Sequence, residues 1–184
     1  MTDVSVEELV VLLDEQGREI GTAPKSSVHS AATPLHRAFS CYLFGPDDQL
    51  LLTRRALTKA TFPGIWTNSF CGHPAPGESD EHAIRRRARA ELGLDVTDIR
   101  IALPHFRYRA ESGGIVENEI CPVYLARTDQ EPQPHRDEVE DHRWSAWTDF
   151  TGAITEDPAG FSPWAQEQTS ELVDGPSVRN YLQL

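Results

Sequence analysis

Between Glu78 and Leu92 the chain carries its clearest helix, and that element limits what the rest can fold into. Alanine, arginine and glutamate dominate the stretch; Ser79 with Asp80 and Glu81 gives an acidic first turn suited to the positive end of a helix, and Gly93 supplies the stop. Apolar runs of strand length surround it. Glu8 to Asp14 reads as a strand closed by a turn, and Ala38 to Phe44 with Gln49 to Arg54 reads as a hairpin about Gly45-Pro46-Asp47-Asp48. Ile99 to Ala110 and Ile115 to Arg127 read as two further strands joined by Glu111-Ser112-Gly113-Gly114, with another at Val139 to Trp147. Helices are expected around Thr148 to Thr155 and from Ser162 to about Leu172, where Ser162-Pro163 offers an N-cap and a first-turn proline. Gly21 to Arg37 has no clear period and reads as a loop, or a short helix broken before Pro34. Gln130 to Asp137, polar and proline-containing, reads as a mobile loop. The pattern predicts a mixed α/β fold, a β-sheet core packed between helices.

A chain of 184 residues suits one domain with a proper core. No apolar run approaches the length of a membrane span, and MTDVSVEELV lacks the basic and apolar parts of a secretory signal, so a cytoplasmic protein is expected. Three cysteines, Cys41, Cys71 and Cys121, argue for free thiols and against a disulfide framework. The formal net charge of -12 opposes nucleic acid and anionic membranes as partners. Lys25, Lys59, Arg54, Arg55 and the run Arg85-Arg86-Arg87 can still build a positive pocket inside that acidic shell, which suits a small anionic substrate.

Thr67-Asn68-Ser69-Phe70-Cys71-Gly72-His73-Pro74 places a thiol two residues before an imidazole, and Glu117-Asn118-Glu119-Ile120-Cys121-Pro122 places two carboxylates on one face of an extended strand. Brought together, they would set a thiol and a metal-bound carboxylate on opposite sides of a substrate. His29, His36, His73, Glu117 and Glu119 are the candidate ligands. Three imidazoles and two carboxylates suit a six-coordinate manganese- or magnesium-type ion, or zinc, better than a closed four-ligand structural site. Arg87 and Glu91 stand one helical turn apart; the pair can serve a diphosphate, or be a routine ion pair of an exposed helix.

From Gly72 through Glu78, Arg86, Glu91, Gly93 and Leu94 the spacing resembles the Nudix box, which implies the Nudix fold and a loop-helix-loop that holds divalent metal against a diphosphate. Two positions depart from that frame. Arg87 stands where the Nudix hydrolases keep a glutamate, and Ala90 replaces the first of a later glutamate pair. With Trp66-Thr67-Asn68-Ser69, Cys71-Gly72-His73-Pro74, Phe106-Arg107-Tyr108-Arg109, Val116 through Val123 and Phe161-Ser162-Pro163-Trp164, the chain resembles the type I isopentenyl-diphosphate isomerases from about Leu9 to Trp164. The resemblance implies interconversion of isopentenyl and dimethylallyl diphosphate through a tertiary carbocation. It implies Cys71 and Glu119 as the acid/base pair, Tyr108 hydrogen-bonding nearby, and Trp164 as the cation-stabilising ring. Lys25, Arg55, Lys59 and Arg87 would hold the diphosphate. Magnesium would bind with it at Glu91 and the Cys71 carbonyl, and manganese, or zinc or magnesium, would sit in the histidine-glutamate site. Further expectations are a Nudix-like core at about 34–168, an N-terminal extension that binds metal and substrate, a short C-terminal helical tail, and a monomer or weak homodimer. A diphosphate hydrolase and a non-catalytic diphosphate-binding module are the competing readings.

Overall fold

A computed structural model describes residues 8–183. The chain forms two mixed β-sheets, and helices pack against both faces of the second. The first joins β1 (Leu9–Leu13), β2 (Glu19–Pro24), β3 (His36–Arg37), β9 (Arg107–Ser112) and β10 (Ile115–Ile120) in the order β2-β1-β3-β10-β9. The second joins β4 (Phe39–Phe44), β5 (Leu50–Arg55), β8 (Thr97–Leu103), β11 (Val123–Arg127) and β12 (Val139–Ser145) in the order β12-β5-β4-β11-β8. Every residue of β4 is buried, as expected of a central strand whose sequence, FSCYLF, is apolar on both faces. Two short strands, β6 (Trp66–Thr67) and β7 (Phe70–Gly72), pair with β5 and β4 respectively. The hairpin strands β4 and β5 pair only at Phe44 and Leu50 before diverging, and the Trp66–Gly72 stretch occupies the resulting gap.

The principal helix, α2 (Asp80–Leu92), follows α1 (Lys25–Val28). Its N-cap is Ser79, whose hydroxyl accepts from the His82 N–H, and Gly93 ends it in the left-handed region at φ 66°. Glu78 lies outside the helix, where its carboxylate accepts from the Ala75 N–H at 2.9 Å and pairs with Arg86 at 2.7 Å. α2 buries Ala83, Ile84, Ala88 and Leu92 against the second sheet. Gly72 allows the close approach of β7 to α2: a Cβ there would lie 2.8 Å from Arg87 Cγ and 3.0 Å from the Phe39 ring. α3 (Trp147–Glu156), a 3₁₀ turn at Pro158–Gly160, α4 (Pro163–Asp174) and α5 (Ser177–Leu182) complete the chain. Among the described residues no helix is long and apolar enough to cross a membrane.

Four expectations need correction. Ile99 to Ala110 is two strands, β8 and β9, in different sheets, and Ile115 to Arg127 likewise divides into β10 and β11. Pro104 and Pro122 stand at the breaks; lacking an N–H, each interrupts a ladder where the chain changes sheet. Gly21 to Pro24 belongs to β2 and His36 to β3, because backbone pairing with β1 overrides the absence of a local apolar period. Gln130 to Asp137 is a loop, but the N–H groups of Gln133 and His135 donate to the carbonyls of Leu92 and Glu91, both at 2.7 Å, tying it to the C-terminus of α2. The tail beyond Glu167, which carries no readable motif, supplies Leu172, Val178, Tyr181 and Leu182 to the main core.

Candidate active site

Strand register assembles one wall of the site. Glu119 in β10 lies opposite Tyr108 in β9 and, on its other side, opposite His36 in β3, so three side chains from three strands share a face. His73 follows directly on β7. His73 Nε2 lies 3.0 Å from Glu119 Oε1, His36 Nε2 lies 3.4 Å from the same oxygen, and the two imidazole nitrogens are 3.2 Å apart. His29, just beyond α1, closes the group, and one donor atom from each of His29, His36, His73 and Glu119 fits within 4.8 Å of all the others. Glu117 stands beside this group: its Oε2 is 3.1 Å from His29 Nε2, while Oε1 accepts from the Thr61 hydroxyl at 2.6 Å.

Donor atoms held about 2.0–2.2 Å from one ion at right angles to each other lie roughly 3 Å apart, the spacing found here. Two further observations fit a cation. His36 Nδ1 faces the Pro34 carbonyl at 3.0 Å, which in the neutral ring puts the proton on Nδ1 and leaves the Nε2 lone pair turned inward. Buried His29 Nε2 makes no well-aligned hydrogen bond and has only the Glu117 carboxylate, at 3.1 Å, beside it. Electrostatics follow the crowding. Burial alone would raise the Glu119 carboxyl, but hydrogen bonds from His36 and His73 outweigh it and hold the group well below the usual carboxylate range. Burial depresses His36 less than Glu119 raises it, so its net shift is upward, whereas burial of His73 prevails and its shift is downward. Glu117 is held low by His29 and Thr61 against the cost of burial.

The opposite wall is basic. Lys25 from α1, Arg55 from the end of β5, Lys59 from the following loop and Arg87 from α2 line the same cavity of about 260 Å³ as Cys71, Tyr108, Trp164 and the two carboxylates of β10. Each cation already has an anionic or carbonyl partner. Lys25 donates to Glu8 at 2.6 Å, Lys59 pairs with Glu138, and Arg87 pairs with Glu91 and lies 3.5 Å from Glu138. Arg55 donates to the carbonyls of Thr61 and Phe62 at 3.0 and 3.2 Å. Burial raises the Glu91 carboxyl although Arg87 opposes it, while Lys59 and Arg87 hold Glu138 low despite burial. Of the larger basic set expected from sequence, Arg54, Arg85 and Arg86 do not line the cavity. Arg54 donates to the Gly64 carbonyl, Arg85 pairs with Glu81, and Arg86 pairs with Glu78. Consecutive residues point some 100° apart round a helix, so only one of the three arginines in the run can face inward.

Between the walls lies the thiol. Cys71 in β7 is paired in register with Ser40 in β4, and its sulfur lies 3.2 Å from the Ser40 hydroxyl and 3.4 Å from Asn68 Oδ1. Burial pushes the thiol up to about 12, partly offset by the Ser40 hydroxyl. Trp164, in the first turn of α4, packs against Tyr108 with centroids 5.7 Å apart and against the edge of Phe62 at 5.3 Å, and the Arg55 guanidinium carbon sits 5.4 Å from its ring centroid. Burial, reinforced by Glu119 and Glu117, raises the Tyr108 hydroxyl well above its ordinary value, so it stays protonated. Thirteen of the residues singled out from sequence thus converge: twelve line the cavity and His36 sits behind it as a buried member of the histidine group. Sequence reasoning did not find Glu138, Thr61, Ser40 or the role of Asn68, and none carries a local signal beyond Asn68 lying inside the cysteine motif.

This arrangement, a metal-type cluster facing a helix that bears Arg87 and Glu91, defines a class before it defines a protein. A family model of the NUDIX domain matches residues 34–165. Solved structures agree on the fold: a crystal structure of DR0079 from Deinococcus radiodurans superposes with TM-score 0.66 at 20% identity, over 91% of this chain and 98% of that one. A MutT protein from Methanosarcina mazei superposes with TM-score 0.60 at 16% identity, over 77% and 94%. Sequence relatives narrow the class. Isopentenyl-diphosphate Delta-isomerases are 60% identical over 166 residues in Agromyces mediolanus (90% of this chain, 81% of that one), and 56% over 179 residues in Mycolicibacterium vanbaalenii (97% and 98%). The relative in Kocuria rhizophila is 52% identical over 183 residues, 99% of both chains. The chain belongs to the isopentenyl-diphosphate Delta-isomerases of the NUDIX class.

Proposed function

We propose that this chain interconverts isopentenyl and dimethylallyl diphosphate, with Cys71 and Glu119 exchanging protons with the allylic unit from two sides. The observation that carries the reading is the placement of that thiol and that carboxylate in one small cavity whose remaining walls are aromatic on one side and basic on the other. The diphosphate is held by Lys25, Arg55, Lys59 and Arg87, which exchange their carboxylate and carbonyl partners for phosphate oxygens. Its hydrocarbon end then lies between Cys71 and Glu119. One group delivers a proton to the terminal alkene carbon, a tertiary cation forms, and the other group removes a proton from the opposite side. No water is consumed, so the site has to exclude it, and the packing of Phe62, Tyr108 and Trp164 serves that end. The indole face stabilises the cation by about 2 kcal/mol when desolvated. Tyr108, kept neutral, supplies a hydroxyl beside the two proton carriers.

His29, His36, His73, Glu117 and Glu119 would hold a manganese ion, or zinc or magnesium in its place, and Glu91 with the Cys71 carbonyl would hold magnesium together with the diphosphate. When bound, these ions neutralise diphosphate charge and fix the orientation and charge of Glu119. The reading takes the chain as one domain with a Nudix-like core at about 34–168, an N-terminal extension contributing Lys25 and His29, and a C-terminal helical tail. It takes the protein as a monomer or weak homodimer acting in the cytoplasm on a small diphosphate, without nucleic acid or membrane. Hydrolysis is disfavoured because Glu91 is the one carboxylate that α2 directs into the cavity, and Arg87 is already paired with it. The test is incubation with isopentenyl diphosphate in heavy water with magnesium and manganese, followed by NMR. Deuterium in newly formed dimethylallyl diphosphate supports the reading; released phosphate, or unchanged substrate, refutes it.

A further inference from the structure

Asn68 lies between β6 and β7 and is fully buried. Its side-chain amide is oriented without ambiguity, because Nδ2 donates to two backbone carbonyls, those of Cys41 and Phe70, each at 3.0 Å. Oδ1 is therefore turned the other way, and three donors converge on it: the Trp164 indole N–H at 3.1 Å, the Thr67 hydroxyl at 2.9 Å and the Cys71 thiol at 3.4 Å. The far side of the sulfur is fixed as well. Tyr42 donates to Gln168 Oε1 at 3.1 Å, which sets the Gln168 amide so that Nε2 donates to Ser40 Oγ at 2.8 Å. With its oxygen receiving that bond, Ser40 has its own proton left for the sulfurs of Cys71 and Cys121, at 3.2 and 3.4 Å. Asn68 Oδ1 can only accept, so the Cys71 thiol donates in that contact, and its sulfur can then accept from Ser40.

We propose that Asn68 is a positioning residue that uses one carbonyl oxygen to hold the Cys71 thiol and the Trp164 ring in a fixed mutual relation. Cys71 rides on a three-residue strand and Trp164 on the first turn of a helix more than ninety positions later, and Oδ1 of Asn68 bonds both. The consequence rests on the function proposed above: a proton carrier and a cation-stabilising ring have to address the same carbon, and a displacement of about 1 Å costs on the order of 100-fold in rate. Asn68 makes no hydrogen bond to Lys25, Arg55, Lys59 or Arg87, so its effect falls chiefly on turnover and little on diphosphate binding.

The experiment uses the full-length, metal-loaded protein. In the wild type, the Trp164 indole N–H resonance, assigned by its loss in Trp164→Phe, and the infrared S–H stretch of Cys71, assigned by its loss in Cys71→Ser, are both expected at hydrogen-bonded positions. Asn68→Ala should move both signals to non-bonded positions and lower kcat about 100-fold with KM unchanged. Asn68→Asp, which keeps an oxygen where Oδ1 stands, should recover part of both. Because five hydrogen bonds end on the Asn68 side chain, Asn68→Ala is also the variant most exposed to misfolding; the wild-type spectra decide the matter without it. A free S–H stretch or a free indole N–H in the wild type overturns the proposal, as does wild-type kcat in a folded Asn68→Ala. Absence of isomerisation by the wild type would instead remove the functional reading, and the spectra would still report whether Asn68 bonds both groups.

Discussion

The two walls of the cavity are charged in opposite senses and are incomplete in different ways. On the β3–β10 wall, three imidazoles and two carboxylates crowd together, with His36, His73 and Glu119, and His29 with Glu117, about 3 Å apart. On the α2 wall, Lys25, Lys59 and Arg87 arrive already matched with Glu8, Glu138 and Glu91. The first wall gathers ligand-type donors around one point; the second is a set of ion pairs. Under the function proposed above, the difference explains how a protein of net charge -12 would take up an anion: four basic side chains, both lysines among them, line one cavity, held by carboxylates and carbonyls that the substrate would replace.

Substitutions should separate the walls by what they disturb. The largest effect on folding is expected for Arg87→Met, which leaves Glu91 and Glu138 facing each other without their shared cation; removing one partner of a buried pair costs about 3–5 kcal/mol. Denaturant unfolding would read it, and stability equal to wild type would mean that this wall is not pre-paired. On the metal wall, Glu117→Gln should leave folding nearly unchanged and weaken metal affinity about 10–100-fold, measured as metal retained after dialysis against a chelator. Glu119→Gln should lose more, since Glu119 serves both His36 and His73 whereas Glu117 faces His29 alone. Equal retention by the two variants would contradict that ranking.

The smallest effect is expected for Glu138→Gln, about 1 kcal/mol because the pair is partly open to solvent. Its pH dependence carries a sign. The folded Glu138 carboxyl lies below its ordinary 4.5, so the stabilisation is complete above pH 4.5 and disappears as pH falls through the folded value. The melting-temperature gap between wild type and Glu138→Gln should therefore close on acidification. A gap that widens would reverse the assignment.

Much of this was readable in the sequence, for reasons that differ between elements. α2 could be placed to within two residues because capping, composition and a glycine stop all act locally. Glu117 and Glu119 could be put on one face because side chains alternate along a strand; the other residues that share the cavity were assigned to one site through the family resemblance, since no local period marks them. The division of Ile99 to Ala110 and of Ile115 to Arg127 between two sheets was missed although Pro104 and Pro122 mark the breaks; an apolar run signals a strand but not which sheet it joins. β6 and β7 are too short to show any period. Glu138 reaches Lys59 and Arg87 from a polar loop, a contact between residues 79 and 51 positions apart that only the packed fold creates.

The claim that joins the walls is that Cys71 and Glu119 work on one alkene from two sides. It is tested most directly by following isopentenyl diphosphate in heavy water with wild type and with Cys71→Ala, each checked for equal metal content. The wild type should form deuterated dimethylallyl diphosphate, and Cys71→Ala should slow both product formation and deuterium entry by about 10²–10⁴-fold while keeping its metal. Deuterated product formed by Cys71→Ala at the wild-type rate, or phosphate released by the wild type, would contradict the account.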